Sequence, residues 1–158
     1  MKNFSVKSIG QVANDQEEMA IQLSAEYAAG LSGLNGFSYL VVLWWPNQMD
    51  SDEARSMLEV PKPYKNAPDT MGIFATRSPA RPNPIAMTVV DILSIDETTG
   101  RIIVPYIDAL DGTPVLDLKP YTPSADKVEQ PGVPEWSAHW PENYESSGDF
   151  DWENEFMF

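Results

Sequence analysis

Two arginines in a proline-rich stretch are the first residues whose types and spacing could do chemistry. Arg77 and Arg81 lie within residues 72–87, GIFATRSPARPNPIAM, with prolines at positions 79, 82 and 84. Each proline fixes φ and removes a backbone donor, so the loop is stiff and loses little entropy when a ligand binds. The pattern predicts either a clamp for a polar ligand or a rigid connector whose arginines pair with acidic residues.

A second stretch, residues 106–121, carries three carboxylates between apolar residues. Asp108, Asp111 and Asp117 are followed by Lys119 in YIDALDGTPVLDLKPY. Asp-Gly at 111–112 is typical of a turn, and by spacing alone the segment is a hairpin turn with flanking charges. The aspartates lack the spacing of a calcium loop. Because the chain has no cysteine and one histidine, we expect no disulfide and no metal site.

Charge is the strongest compositional feature of the chain. The 158 residues hold 24 acids against 10 Lys and Arg, a formal charge of −14, which opposes binding to phosphate backbones. Residues 128–158 contain eight acids, no Lys or Arg, and seven aromatic residues. A purely solvated tail would not carry so many rings. We therefore expect this tail to pack on a domain of residues 1–127 or on a partner subunit, or to act itself by docking a partner.

The spacing of strand and turn signals predicts an all-β fold. Short alternating or β-branched segments separated by turns, without a βαβ rhythm, favour a small antiparallel β-barrel of about seven strands with one or two short helices. The predicted strands span 4–12, 19–23, 37–45, 71–76, 87–95, 101–107 and 115–118, and the predicted helices span 24–31 and 53–58. No apolar run is long enough for a membrane span and no signal-peptide region is visible, so a cytoplasmic location is expected.

Three of these segments resemble one known family. TRSPARPNPI, LDGTPVLDLKPY and GLNGFSYLVVLWW are similar to the corresponding motifs of the TrmO-like, or TsaA-like, family. Its members are S-adenosylmethionine-dependent methyltransferases that act on threonylcarbamoyl-adenosine in tRNA. The resemblance covers residues 4–12 and 31–127. It implies a dimerising antiparallel β-barrel, S-adenosylmethionine as the cofactor, and tRNA and a second copy of the chain as partners.

The resemblance also implies a set of residues that bind the methyl donor. These are Asn47, Gln48, Arg77, Met87, Tyr106, Ile107 and Asp108. Within the set, Arg77 is assigned to the donor carboxylate or adenosyl edge, and Asp108 to a ribose or amino contact. Met87 and Ile107 are assigned to the adenine slot.

The remaining candidates concern the methyl acceptor. Asp111 and Asp117 are candidate proton acceptors, and Lys119 is grouped with them as catalytic. Arg81, Asn83 and Tyr121 are the candidate substrate contacts.

The chain departs from the family pattern at four positions. Tyr39 and Asn47 stand where histidine is usual, Ala80 where a bulky residue or histidine is usual, and Ala86 where glycine is usual. These departures keep a second interpretation open. In that interpretation the chain is a non-catalytic module that binds S-adenosylmethionine or docks a partner.

Overall fold

The protein is described by a computed structural model covering residues 3–15 and 18–157, and the chain divides into two compact units. Unit 1 comprises Met1–Ser51 and Asn83–Lys127. Unit 2 comprises Asp52–Pro82 and Val128–Phe158. Arg77 and Arg81 thus belong to the same unit as the acidic aromatic tail, whereas residues 83–87 of the arginine–proline stretch belong to unit 1. The sequence-based division at residues 127 and 128 stays a prediction.

Within residues 3–15 and 18–157, nine strands form two antiparallel sheets, which confirms the all-β class. In chain order they are β1 Gly10–Asn14, β2 Met19–Leu23, β3 Tyr39–Trp44, β4 Glu59–Pro61, β5 Thr70–Gly72, β6 Ala86–Asp91, β7 Ser94–Asp96, β8 Arg101–Val104 and β9 Pro114–Pro120. Unit 1 contains a seven-stranded sheet in the order β6-β3-β9-β1-β2-β8-β7. In unit 2, β4 pairs with β5.

The seven-stranded sheet is open, so the expected closed barrel is corrected. Strands β6 and β7 are its two edges, and no ladder joins them among the described residues. They are nevertheless consecutive in the chain, separated by Ile92 and Leu93 alone. The amide of Ile92 donates to Ser38 O, and the amide of Leu93 donates to Ile103 O. The chain therefore bends at these two residues and continues from one edge strand into the other. The single strand predicted over 87–95 is therefore two strands with a bend.

The core of unit 1 lies along β3 and its neighbours. Leu40, Val41 and Val42 are all buried, as expected for a β-branched run covered on both faces. Val12, Ile21 and the other inward residues of the sheet pack with them. The sheet is thus stabilised by burial of apolar residues from strands far apart in sequence.

The helical elements are all short. The α-helices are α1 Asp52–Ser56, α2 Pro123–Asp126, α3 Tyr144–Ser147 and α4 Trp152–Glu155. The 3-10 helices are Ala25–Leu31, Asn47–Met49, Ile73–Ala75 and Glu135–Ser137. Within the described part of the chain, none of the helices has the length and apolarity needed to cross a membrane.

Unit 2 has its own apolar cluster. Tyr64, Ala67 and Met71 are buried, and Trp136 and Trp140 of the tail pack against them. Strands β4 and β5 contribute three residues each, too few for an independently stable sheet. Packing between the two segments of unit 2 therefore supplies much of its order.

Gly10 provides a test of the sheet register, because it pairs with both Leu23 and Val115. A Cβ at this position would overlap the backbone carbonyl of Gln22, which cannot move without disturbing β2. Gly10→Ala is expected to lower the free energy of unfolding by about 1–3 kcal/mol, measured by urea denaturation. The matched control is Gly30→Ala, where a Cβ meets nothing within 4 Å. Equal stability of the two variants would contradict the register.

Candidate functional site

Three chain segments meet where β3 ends and β6 and β9 begin. Trp44 pairs with Ala86 on one side and with Val115 on the other. The amide of Trp45 donates to Pro114 O at 2.9 Å. Residues 45–48, 83–87 and 110–114 therefore lie at one shared end of adjacent strands. This end of unit 1 is called the donor end below, because it carries several of the predicted donor contacts.

The donor end presents Met87, Asn47 and Gln48 to solvent. Met87 is 47% exposed although it lies in β6. Asn47 and Gln48 begin the 3-10 turn after β3 and are exposed. The Nε1 of Trp45 donates to the carboxylate of Asp50 at 3.0 Å, which closes this turn. The sequence indicated Asp50 only as a candidate helix cap and did not indicate its bond to Trp45, which holds the turn that carries Asn47 and Gln48.

Residues 106–108 follow β8 and differ sharply in exposure. Tyr106 is 62% exposed and Asp108 is exposed, whereas Ile107 is 1% exposed and packs in the core of unit 1. Burial, followed by the charge and hydrogen bonding of Asp108, raises the pKa of Tyr106. The tyrosine is therefore held as a neutral hydroxyl beside a carboxylate. In this arrangement Tyr106 and Asp108 offer groups to a ligand, while Ile107 anchors the segment.

Asp111 has a structural partner. Its Oδ1 accepts the backbone N–H of Asn14 at 2.9 Å, and Gly112 N–H donates to Val12 O at 2.9 Å. These bonds attach the Asp-Gly turn to the end of β1. Asp111 therefore closes a turn at the donor end, and its second oxygen is the one left for a proton or a ligand.

Asp117 and Lys119 lie along β9, and Tyr121 directly follows it. Lys119 Nζ contacts Asp117 Oδ2 at 2.6 Å, and both side chains are substantially exposed. The hydrogen bond and charge of Asp117 raise the pKa of Lys119, which therefore remains a cation. The amide of Tyr121 donates to Tyr39 O at 3.0 Å, at the opposite end of β3. Five residue steps separate Val115 from Pro120, about 17 Å of strand, so Tyr121 lies apart from the donor end. Asp117 lies nearer to it, because Asp117 and Met87 pair with Leu43 from its two sides.

The arginine–proline loop of unit 2 is closed by one of its own arginines. Arg81 Nη1 donates to Thr76 O at 3.3 Å and to Ser78 O at 3.4 Å, on either side of Arg77. Its guanidinium also lies 5.9 Å from the ring centroid of Phe74, a cation–π distance. Arg77 itself is exposed. Arg81 thus stabilises the loop by hydrogen bonds, and the guanidinium of Arg77 is exposed to a ligand.

The remaining substrate candidate, Asn83, belongs to unit 1. It is exposed, and its carbonyl accepts the amide of Ile85 at 2.8 Å. Unit 1 therefore places Asn47, Gln48, Asn83, Met87 and Asp111 on the segments that meet at the donor end. Arg77 and Arg81 are described within unit 2.

A buried carboxylate in unit 2 was not anticipated from the sequence. Glu155 is 4% exposed and accepts hydrogen bonds from His139 Nε2 and Trp140 Nε1, each at 3.0 Å. Burial raises the pKa of Glu155, but the hydrogen bonds from His139 and Trp140 and the charges of His139 and Lys65 outweigh it and lower the pKa. Acidic tails normally lie in solvent, so composition gave no signal for this network. Across residues 3–15 and 18–157, no three His, Cys, Asp or Glu side chains group as metal ligands.

Comparison with known proteins places these features in a family context. The family model described as the tRNA-methyltransferase O N-terminal domain matches residues 7–127. An "S-adenosyl-L-methionine-binding protein" of Archaeoglobus fulgidus is 39% identical over 121 residues, covering 77% of this chain and 80% of that protein.

Two longer proteins are also similar. A "Probable S-adenosyl-L-methionine-binding protein" of the same organism is 41% identical over 128 residues, covering 80% of this chain and 32% of that protein. A crystal structure of TrmO superposes with a TM-score of 0.65 and 30% identity, covering 84% of this chain and 64% of that one. The chain thus spans about a third of the former and under two thirds of the latter. The C-terminal residues 128–158 lie outside the family model's match.

The partner of Asp111 predicts how its substitution affects folding. Asp111→Ala leaves the Asn14 N–H without its carboxylate and is expected to lower the free energy of unfolding by about 1 kcal/mol, measured by thermal denaturation. Asp111→Asn keeps an acceptor oxygen and is expected to retain most of that stability. Loss of stability in Asp111→Asn equal to that in Asp111→Ala would show that the charge, rather than the hydrogen bond, matters.

Proposed function

Because the chain belongs to the tRNA-methyltransferase O N-terminal domain family, we propose that it binds S-adenosylmethionine and transfers the methyl group of this donor to an acceptor. The observation that carries the proposal is the match over residues 7–127, which includes both motif segments and the whole donor end. The names of the archaeal relatives support donor binding. The resemblance also supports a homodimer as the working form.

The proposed donor contacts have the chemistry that such a donor requires. When bound, S-adenosylmethionine supplies an electrophilic methyl group on a sulfonium. Exposed Met87 and Tyr106 offer apolar surface suited to an adenine ring, and the carboxylate of Asp108 suits an amino or ribose group. The exposed guanidinium of Arg77 suits a carboxylate. Each of these side chains therefore suits one part of a zwitterionic adenosyl ligand.

Methyl transfer from a sulfonium depends mainly on alignment and on exclusion of water. The proline-fixed loop around Arg77 meets the first requirement, since it is internally bonded through Arg81 before any ligand arrives. For the proton that the acceptor must lose, Asp111 and Asp117 are the proposed carboxylate acceptors, and the cation of Lys119 lies beside Asp117. Arg81, Asn83 and Tyr121 remain proposed acceptor contacts.

The acceptor is proposed to be a modified adenosine, either in tRNA or as a related small molecule. Charge favours the small molecule. The chain carries −14 overall. Arg101 is paired with Asp15 and Glu18, Lys119 with Asp117, and Arg81 with its own loop. These cations are therefore already engaged and contribute less to neutralising phosphates.

A second candidate function is donor binding without turnover. Asn47 stands at the donor end where the family resemblance places histidine. Unlike an imidazole, a carboxamide cannot accept a proton from the methyl acceptor. The names of the two Archaeoglobus fulgidus relatives specify binding rather than transfer. Tight donor binding with no transfer of labelled methyl to any cellular fraction would favour this function over the first.

Donor binding is tested by isothermal titration of the full chain with S-adenosylmethionine. We expect saturable binding in the micromolar range, and at least tenfold weaker binding for Arg77→Gln, because a charge-assisted hydrogen bond is lost. The matched control is Lys62→Gln, an exposed cation of the same unit, which should leave affinity unchanged. No heat of binding at millimolar donor would refute the proposed function.

The acceptor class is tested by gel shift with total tRNA at 50 and 200 mM salt. A protein of this charge is expected to show no retained complex at 10 μM protein, whereas a tRNA reader would bind with a steep salt dependence. Incubation with methyl-labelled donor and a fractionated extract is expected to label the low-mass fraction. Salt-dependent retention together with labelled tRNA would establish RNA as the acceptor.

A further inference from the structure

Bonds from Arg81 shape the loop around Arg77 locally, but the longer segment that carries this loop contains little regular structure to fix its place within unit 2. Between Asp52 and Pro82 the regular structure consists of α1, the two three-residue strands and one 3-10 turn. An isolated two-stranded pair is marginal in water. Contacts from outside this segment must therefore help to fix Arg77 within unit 2. The tail, residues 128–157, supplies such contacts.

The tail surrounds Tyr64 with aromatic rings. Trp136 stacks on Tyr64 at 5.5 Å between centroids, and Trp140 meets it edge-on at 4.9 Å. Phe156 lies at 5.9 Å. Tyr64 is 8% exposed as a result. A ring held on three sides has little freedom to shift, so its hydroxyl is fixed in space.

Backbone hydrogen bonds lock the same place. Tyr64 and Phe156 form an antiparallel bridge. Lys65 N–H donates to Glu155 O at 3.0 Å, and Met157 N–H donates to Pro63 O at 3.1 Å. Residues 155–157 therefore pair with residues 63–65 as a short strand would. This pairing is called the C-terminal clasp below.

The buried carboxylate of Glu155 completes the C-terminal clasp. Its two oxygens accept from His139 and from Trp140, so it fixes the indole that packs on Tyr64. Among described residues, no buried side-chain nitrogen or oxygen is left without a partner, so the network is fully satisfied. Such a network orders the groups around it.

Tyr64 and Met71 connect the cluster to the arginine loop. Met71 belongs to the buried cluster and lies in β5, immediately before the 3-10 turn Ile73–Ala75. Thr76 Oγ1 donates to Ile73 O at 2.8 Å, and Arg81 bonds the carbonyls of Thr76 and Ser78. Burial raises the pKa of Tyr64, and the backbone amide and charge of Arg77 oppose that rise, which agrees with this connection.

We propose that the acidic aromatic tail positions Arg77 for the methyl donor, with Tyr64 as the positioning residue through which it acts. The proposal rests on the proposed function, since it takes Arg77 as a donor contact. It assigns a role to residues 128–157, which the family model does not match. The tail then completes the donor-binding loop rather than serving as a solvated appendage.

A double-mutant cycle tests the coupling. Tyr64→Phe removes the hydroxyl and keeps the ring, and is expected to weaken S-adenosylmethionine binding about fivefold to tenfold by titration, with little change in melting temperature. In an Arg77→Gln background the same change should have no further effect, because the residue it positions is gone. A full additional loss in that background, or no loss in the wild type, would overturn the proposal.

Amide hydrogen exchange gives a readout that needs no donor. In Tyr64→Phe and in Glu155→Gln, protection of the amides of residues 76–78 is expected to fall at least tenfold. The matched control is Glu153→Gln, an exposed acid of the same helix, which should not change exchange. Unchanged exchange at 76–78 overturns the positioning role whether or not the wild type binds donor. Increased exchange in a chain that binds no donor would refute the proposed function and keep the structural coupling.

Discussion

The insertion of β9 between β1 and β3 is the constraint on which unit 1 depends. In the strand order β6-β3-β9-β1-β2-β8-β7, β9 is the one described strand whose ladders join the pair β6-β3 to the other four strands. It is also the last strand in the chain. Without its ladders the core residues of β3 and those of β1 and β2 would belong to separate small sheets. The sheet therefore forms through a contact of long sequence separation, which is entropically costly and must be offset by buried apolar area.

The same strand explains where the chemistry lies. The Asp-Gly turn enters β9 at the donor end, and the Asp117–Lys119 pair lies along it. One strand register thus fixes a carboxylate beside the end of β1 and an ion pair facing solvent farther along. A register slip by one residue would turn each of these side chains to the other face of the sheet. Structural and candidate functional requirements are therefore imposed on the same seven residues, Pro114–Pro120, and the turn before them.

Sequence patterns predicted those elements that local residues determine. They failed where residues distant in the sequence determine whether a strand forms or where it ends. The alternation at 19–23 matches β2, and the turn at 97–100 closes the β7–β8 hairpin, with Gly100 at a φ of 72°. Residues 4–9 alternate as well, yet the strand begins at Gly10, where β2 and β9 offer partners. The strand predicted over 71–76 stops at Gly72, because the Thr76 hydroxyl bonds back to Ile73 and closes a turn.

The aromatic content of the tail predicted that it packs, but not that Tyr64 lies at the centre of the packing, since that contact joins residues more than seventy positions apart.

The departures from the family pattern bear on the kind of acceptor that the chain can use. Ala80 is 8% exposed, and its amide donates to Ser78 Oγ, so a small side chain belongs to the packing of the arginine loop. Asn47 matters differently, because a carboxamide replaces an imidazole at the donor end. The chain's one histidine, His139, is bound to Glu155 in unit 2. Under the proposed function, the proton acceptors proposed in unit 1 are the carboxylates of Asp111 and Asp117, and a carboxylate is a weaker general base than an imidazole. We therefore expect an acceptor that is already nucleophilic, or that loses its proton readily to water, rather than one that needs a strong base.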